Sequence, residues 1–422
     1  MAAVNAASAL LASSTSPRPR SRRGSPKAGA RTCGASPPLP PARTGAIPDR
    51  LCWGHERPHG DVGETTAIAM TIPTEPIGSI PRPQELIEAV AKKGIDDPRL
   101  EPLYEEATRD TIERFHATGS PVITDGEQRK YHNFWTYSVD GLANTAPDGF
   151  KIPFAAGHTR RMPRLTSGPF RYKRYADSYM DIAMRYAHVP VKQAVISPSA
   201  LSLMYPADGL RDYSRDEFID DLLDEHETEV RRCLQKGAHK VQIDFTEGRL
   251  AMKIDPSGNL LNSFIDLNNL ALSRFSVEER ERIGVHTCPG GDRDSTHSAD
   301  VDYAELLPSL FELKAGNFYI ALAGEKDRTR VLKIIRDYMK PEQRIFIGVI
   351  SPIDPRIETA AEVRDRILEA QNYIPMEQLG TTDDCGFSPF SDDTSTSRDT
   401  AFAKIKARVL GTALAAEVFG GG

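Results

Sequence analysis

From about Met70 onward, short runs of β-branched and apolar residues alternate with longer stretches at helical spacing. The short runs fall at 73–81, 121–127, 191–198, 240–244, 283–288, 318–323, 344–350 and 379–383. Each is five to nine residues long, bounded by Pro, Gly or acidic residues, and reads as a strand. Helical spacing recurs at 86–93, 100–117, 178–187, 215–237, 260–275, 303–314, 327–339, 359–373 and 401–419. The helix over 215–237 is strongly charged and amphipathic, and Gly237 supplies its terminator. Residues 131–174 carry no strong period and hold many aromatic and basic side chains. They read as a long excursion with room for a small hairpin.

Strands that alternate with helices pair in parallel through right-handed crossovers. Eight of them predict an α/β fold of the closed (β/α)8 barrel (TIM barrel) class. In such a barrel the chemistry sits at the C-terminal ends of the strands. Ser79, Glu127, Ser197, Asp244, His286, Cys288 and Cys385 all fall at or just past those ends.

The run Ile283-Gly284-Val285-His286-Thr287-Cys288-Pro289-Gly290-Gly291 is the most informative. Residues two apart on a strand share a face, so His286 and Cys288 present an imidazole and a sulfur to one point. Cys385 offers a third soft donor after the last strand. Two thiolates and one imidazole suit zinc and leave a fourth position open. The plainer reading makes His286 a core histidine and both cysteines small buried hydrophobes.

Composition narrows the classes. A formal net charge of −6 without a Lys/Arg stripe argues against nucleic-acid binding. No apolar stretch is long enough to span a membrane. The five cysteines, Cys33, Cys52, Cys233, Cys288 and Cys385, are widely spaced, which points to a reducing compartment such as the cytoplasm. Residues 1–69 are rich in Ser, Ala, Pro, Gly and Arg, with nine Lys/Arg against four Asp/Glu. That leader is expected to be disordered. It reads either as an organelle transit peptide or as sequence upstream of a true start at Met70. Residues 70–422 form the expected catalytic domain.

Five motifs in this order carry a resemblance. Ile77-Gly78-Ser79, Asp125-Gly126-Glu127, Gln242-Ile243-Asp244, His286-Thr287-Cys288 and Asp384-Cys385-Gly386 resemble the catalytic barrel of cobalamin-independent methionine synthase, in a single-barrel form. The similarity runs from about Thr74 to Glu417. It implies that His286, Cys288 and Cys385 ligate zinc. It implies that Ile77 and Ser79 hold the amino acid part of homocysteine, and that Glu127 and Asp244 bind its ammonium. Ser79 as a simple turn cap is the plainer alternative. An unpaired carboxylate at the mouth of an apolar barrel is costly unless it meets a cation. Ser197 joins these as a candidate substrate contact.

The chain departs from the family at three places. Asp244-Phe245-Thr246-Glu247-Gly248-Arg249 stands where the family has Asp-Glu-Pro-Ala. Ala323 falls where the family supplies a glutamate ligand, and Glu325, two residues on, is the candidate replacement. An insertion over 290–302 adds His297 as a further, weaker candidate. For a methyl-folate donor the leaving nitrogen needs a proton, for which Asp244, Glu247 or the 131–135 region is expected to serve. Phe134, Trp135 and Tyr137 are placed either to stack a pterin or to pack the excursion onto the barrel. A sister group of zinc enzymes alkylates other thiols, as in epoxyalkane:coenzyme M transferase. The two acids favour a thiol that carries an amino group.

Overall fold

The computed structural model of the protein describes residues 72–130, 133–154, 157, 159–291 and 294–420. The expected leader over 1–69 lies outside the described residues. Six strands form one parallel sheet in the order β10-β9-β8-β7-β6-β5. They are β5 (Gln193–Ile196), β6 (Val241–Asp244), β7 (Ile283–Thr287), β8 (Asn317–Ile320), β9 (Arg344–Ile350) and β10 (Leu379–Asp383). These are the last six of the strands read from the sequence, some of them shorter than expected.

The first two expected strands survive as single parallel bridges, Thr74 to Thr381 and Ile123 to Val191. Hydrogen bonds extend each bridge. Glu75 N donates to Thr381 O (3.0 Å), and Lys192 N donates to Ile123 O (2.8 Å). The two segments also meet each other, through Ile80 N to Gly126 O (3.0 Å) and Thr124 Oγ1 to Gly78 O (2.9 Å). The ring of eight segments therefore closes. Pro73, Pro76, Pro81 and Pro121 remove amide donors, which explains why neither segment builds a ladder.

All residues of β5, β6, β7, β8 and β10 are buried, as expected of strands covered on one face by helices and filled on the other. The helix Arg215–Gln235 shows how the pattern becomes structure. Ser214 and Glu217 form a reciprocal capping box at its start, and Phe218, Leu222, Leu223, Val230 and Cys233 form its buried stripe. The closing helix Arg398–Gly420 packs on Ala360–Gln371, on Glu101–Thr118 and on β10. No helix among the described residues is long and apolar enough to cross a membrane.

The excursion holds two small antiparallel pairs where one hairpin was expected. β1 (Thr145–Ala146) pairs with β4 (Arg164–Leu165), and β2 (Lys151–Pro153) pairs with β3 (Thr159–Arg161). The helix Glu247–Ile254 falls in a stretch for which the sequence pattern predicts no element. A Cβ at Gly248 would strike the Phe245 ring, so glycine there serves close packing.

The barrel interior is polar below its mouth. Ile77, Tyr319 and Phe346 make a small apolar layer. Beneath it Glu75 accepts from Lys240 Nζ (2.5 Å) and from Tyr319 Oη (2.6 Å). Lys192 Nζ donates to Gln242 Oε1 (2.8 Å). Gln242 Nε2 in turn donates to Asp244 Oδ1 (2.8 Å), so one polar chain leads from the interior to the mouth.

Candidate metal centre and substrate cavity

Parallel register sets the first two donors. His286 lies on β7 between Asp244 on β6 and Tyr319 on β8. Cys288 follows the strand directly, and Cys385 lies two residues past the end of β10. The ligand atoms of His286, Cys288 and Cys385 all lie within 4.8 Å of one another, and all three side chains are buried. The two sulfurs are 2.6 Å apart.

The donor chemistry fits a soft divalent cation. His286 Nδ1 faces the carbonyl of Tyr319 at 3.4 Å. A carbonyl only accepts, so the proton sits on Nδ1 and Nε2 keeps its lone pair. Nε2 is buried with no hydrogen-bond partner, which is costly unless something else binds it. Burial works against the Cys288 thiolate, yet Cys385 and His286 hold the thiol well below its ordinary value. Burial and the neighbouring Cys288 push the Cys385 thiol well up. The two sulfurs are within hydrogen-bond distance of each other, in a place that a metal ion would fill. Two thiolates and an imidazole match zinc, with a position left open.

A cavity of about 60 Å³ opens directly over these donors. That is space for a few water-sized groups. Ile77 and Ser79 line one wall, Glu127, Asp244 and Glu247 supply acids, and Phe134, Trp135, Phe154 and Phe390 supply aromatic faces. Ser79 also ties two loops together: its Oγ accepts from Ser388 N (3.2 Å), and its carbonyl accepts from Phe387 N (2.9 Å). A Cβ at Gly386 would run into Ser79 Oγ, so the Cys385 loop needs glycine there.

Glu127 is the one non-glycine residue with a positive φ (57°) among the described residues. Such a conformation costs energy and is held by its surroundings. Its amide donates to Asp125 Oδ1 (2.9 Å), and its carbonyl accepts from Arg82 Nη2 (2.7 Å). Glu127 already meets a cation of the protein's own. Lys130, itself buried, places Nζ 3.0 Å from Glu127 Oε1. Asp244 is pushed up to about 6 by burial and by Glu127. Glu247 is pushed up to about 7 by burial, against the pull of the Ser197 and Ser199 hydroxyls.

Two expected roles, those of Ser197 and Glu325, differ from the geometry. Ser197 does not line the cavity. Its hydroxyl donates to Glu247 Oε1 and accepts from Ala200 N (3.1 Å), capping the short helix Pro198–Ser202. It acts through Glu247. Tyr137 also lies outside the cavity, because its hydroxyl donates to Glu229 Oε1 (2.8 Å) in a buried network. Phe134 and Trp135 remain on the cavity wall, with the Trp135 indole N–H on Met162 Sδ (2.9 Å).

Glu325 does not join the donor group. Its carboxylate is taken by Arg249 Nη1 (2.9 Å). Asp384 accepts from the amides of Leu322 (2.7 Å), Ala323 (2.8 Å) and Gly324 (2.7 Å), which pins the backbone ahead of Glu325. The loop cannot re-form without breaking those bonds. Lys130 and Arg82 escaped the sequence reading, and Arg249 and Asp384 entered it only within quoted motifs, with no role of their own. Charged residues in loops read as solvated, and only the spacing of Lys130 three residues after Glu127 hinted otherwise.

Residues 72–404 match the family described as cobalamin-independent synthase, catalytic domain. The chain belongs to this family. It is an enzyme of the cobalamin-independent methionine synthase type, and its resemblance in sequence is borne out. A methionine synthase of Sulfurisphaera tokodaii is 22% identical over 349 residues, 82% of this chain and 93% of that one. The uncharacterized protein YxjH of Bacillus subtilis is 23% identical over 352 residues, 78% of this chain and 91% of the relative. Among solved structures, a B12-independent methionine synthase from Shewanella sp. W3-18-1 in complex with selenomethionine superposes with a TM-score of 0.57. It is 17% identical, with 83% of this chain and 99% of that chain covered, and it shows the shared fold. In this chain of the family, His286, Cys288 and Cys385 come together at the barrel mouth.

Proposed function

We propose that the protein is a zinc-dependent methyltransferase that moves a methyl group from 5-methyltetrahydropteroyl(tri)glutamate to homocysteine, forming methionine. The observation that carries this reading is the buried His286–Cys288–Cys385 group beneath a cavity that also holds Glu127 and Asp244. Zinc, when bound there, supplies the Lewis acidity that turns a thiol into a nucleophilic thiolate at neutral pH.

The chain's own residues set up the rest. Ile77 and Ser79 seat the amino acid part of the thiol, and Glu127 and Asp244 face its ammonium. Glu247, pushed up to about 7 by burial, holds a proton near neutral pH and is placed to pass it to the leaving nitrogen of the folate. Trp135 and Phe134 exclude water and offer faces for a pterin. Residues 70–422 carry the activity, and a chain that starts at Met70 is expected to keep it. We place the reaction in the cytoplasm, or in an organelle if the leader directs import.

A second reading is favoured by one observation. Lys130 already gives Glu127 a buried cation, so a thiol without an amino group would not leave that acid unpaired. The protein would then be a zinc alkyltransferase acting on another thiol. One experiment separates them: metal-replete protein assayed with a panel of thiols against methyl-folate and epoxide donors. Homocysteine with methyl-folate is the pair expected to react. Turnover only with thiols lacking an amino group would sink the first reading.

A further inference from the structure

The donor group is one ligand short of a closed tetrahedral site. Glu325, the acid on the loop after β8, is drawn away by Arg249. His297 lines the same cavity as His286, Cys288 and Cys385. Its Nδ1 is buried without a hydrogen-bond partner among the described residues.

The loop that carries His297 is built onto the metal centre. His297 N donates to Pro289 O (2.9 Å) and Ser298 N to the same oxygen (3.2 Å), so the segment is tied to the residue next to Cys288. Gly290 adopts φ +127°, and a Cβ there would run into the carbonyl of Ser295. That close approach folds the loop back over the strand end. From the other side Arg249 donates Nε to Ser298 O (3.0 Å) and Nη2 to Val301 O (2.8 Å). The guanidinium lies over the Tyr303 ring at 4.7 Å. One arginine thus holds Glu325 and clamps the loop that carries His297.

We propose that His297 is the fourth, exchangeable ligand of the metal in this chain, reached by rotation of its side chain into the cavity. This rests on the zinc reading given above. A neutral imidazole with an unpaired ring nitrogen is a common metal ligand. When a substrate thiol enters, its sulfur takes the position, the imidazole withdraws, and the thiol proton leaves to solvent. His286, Cys288 and Cys385 stay bound throughout.

Zinc-edge X-ray absorption tests this, because outer-shell scattering counts imidazoles and the first shell counts sulfurs. Wild-type protein is expected to show two sulfurs and two imidazoles, changing to three sulfurs and one imidazole when homocysteine is added. His297→Gln is expected to show one imidazole before and after the thiol, with the loss of zinc to a chelator faster by about tenfold or more. Glu325→Gln is expected to keep two imidazoles. If wild type and His297→Gln both show a single imidazole while holding zinc, the assignment of His297 is wrong and the zinc reading stands. If purified and zinc-reconstituted wild type holds no zinc at all, both fall.

Discussion

Lys130 places its ammonium 3.0 Å from Glu127 Oε1, with both side chains buried at the mouth of the barrel. The same Nζ donates to Ala194 O (2.8 Å) and lies 4.5 Å over the Tyr137 ring. Removing one partner of such a pair leaves a buried charge uncompensated, at a cost of about 3–5 kcal/mol. Lys130→Met is expected to lower the unfolding free energy by that order in urea titrations. A loss below about 1 kcal/mol would show that Glu127 finds its cation elsewhere.

Glu127 and Asp244 should govern affinity for the thiol and leave the metal alone. Charge-assisted contacts contribute about 1.5–3 kcal/mol each. Glu127→Gln and Asp244→Asn are each expected to weaken homocysteine binding about tenfold or more, with zinc content unchanged. Calorimetric titration and metal analysis read the two effects separately. Unaltered affinity in both variants would favour the alternative thiol.

The metal should be separable from the fold. Cys288→Ser and Cys385→Ser are each expected to lose zinc, because a hydroxyl is a poor substitute for a thiolate. The barrel should stay folded, since its core runs through all the strands and the packed helices. Metal analysis beside circular dichroism checks this. Cooperative unfolding of either variant at room temperature would contradict it.

Glu247 should make stability depend on pH. Burial raises its carboxyl from 4.5 to about 7 in the folded protein. The folded state then holds a proton that the unfolded state has lost, so stability falls as pH rises through that window. The contribution is fully present below the unfolded value and is lost as pH passes about 7. In metal-free protein, Glu247→Gln lacks this titration. Between pH 5 and pH 8 the wild type is expected to lose up to about 3 kcal/mol relative to the variant. Parallel stability–pH curves would mean that Glu247 stays ionised.

Gly386 should be intolerant of a side chain. A Cβ there would strike Ser79 Oγ and force apart the two loops that carry Ser79 and Cys385. Gly386→Ala is expected to cost zinc affinity and activity with little change in helix content. Wild-type affinity in that variant would show that the loops have slack.

Alternation of strand and helix, the periodicity of each, and the placement of His286, Cys288 and Cys385 at or just past strand ends were all readable along the chain. They are local properties: pleat and turn dictate which residues share a face, and eight βα units leave a closed barrel as the consistent arrangement. The first two segments read as full strands, and only the structure shows that their prolines reduce them to single bridges. The partners of buried charges were a different matter. That Lys130 meets Glu127, that Ser197 serves Glu247, and that Arg249 takes Glu325 depend on which loops fold over which strand ends. Opposite charges attract at any spacing in sequence, so a linear pattern of acids and bases does not say who pairs. The closed barrel does, because it brings distant loops to one dry mouth where every charge must find a partner.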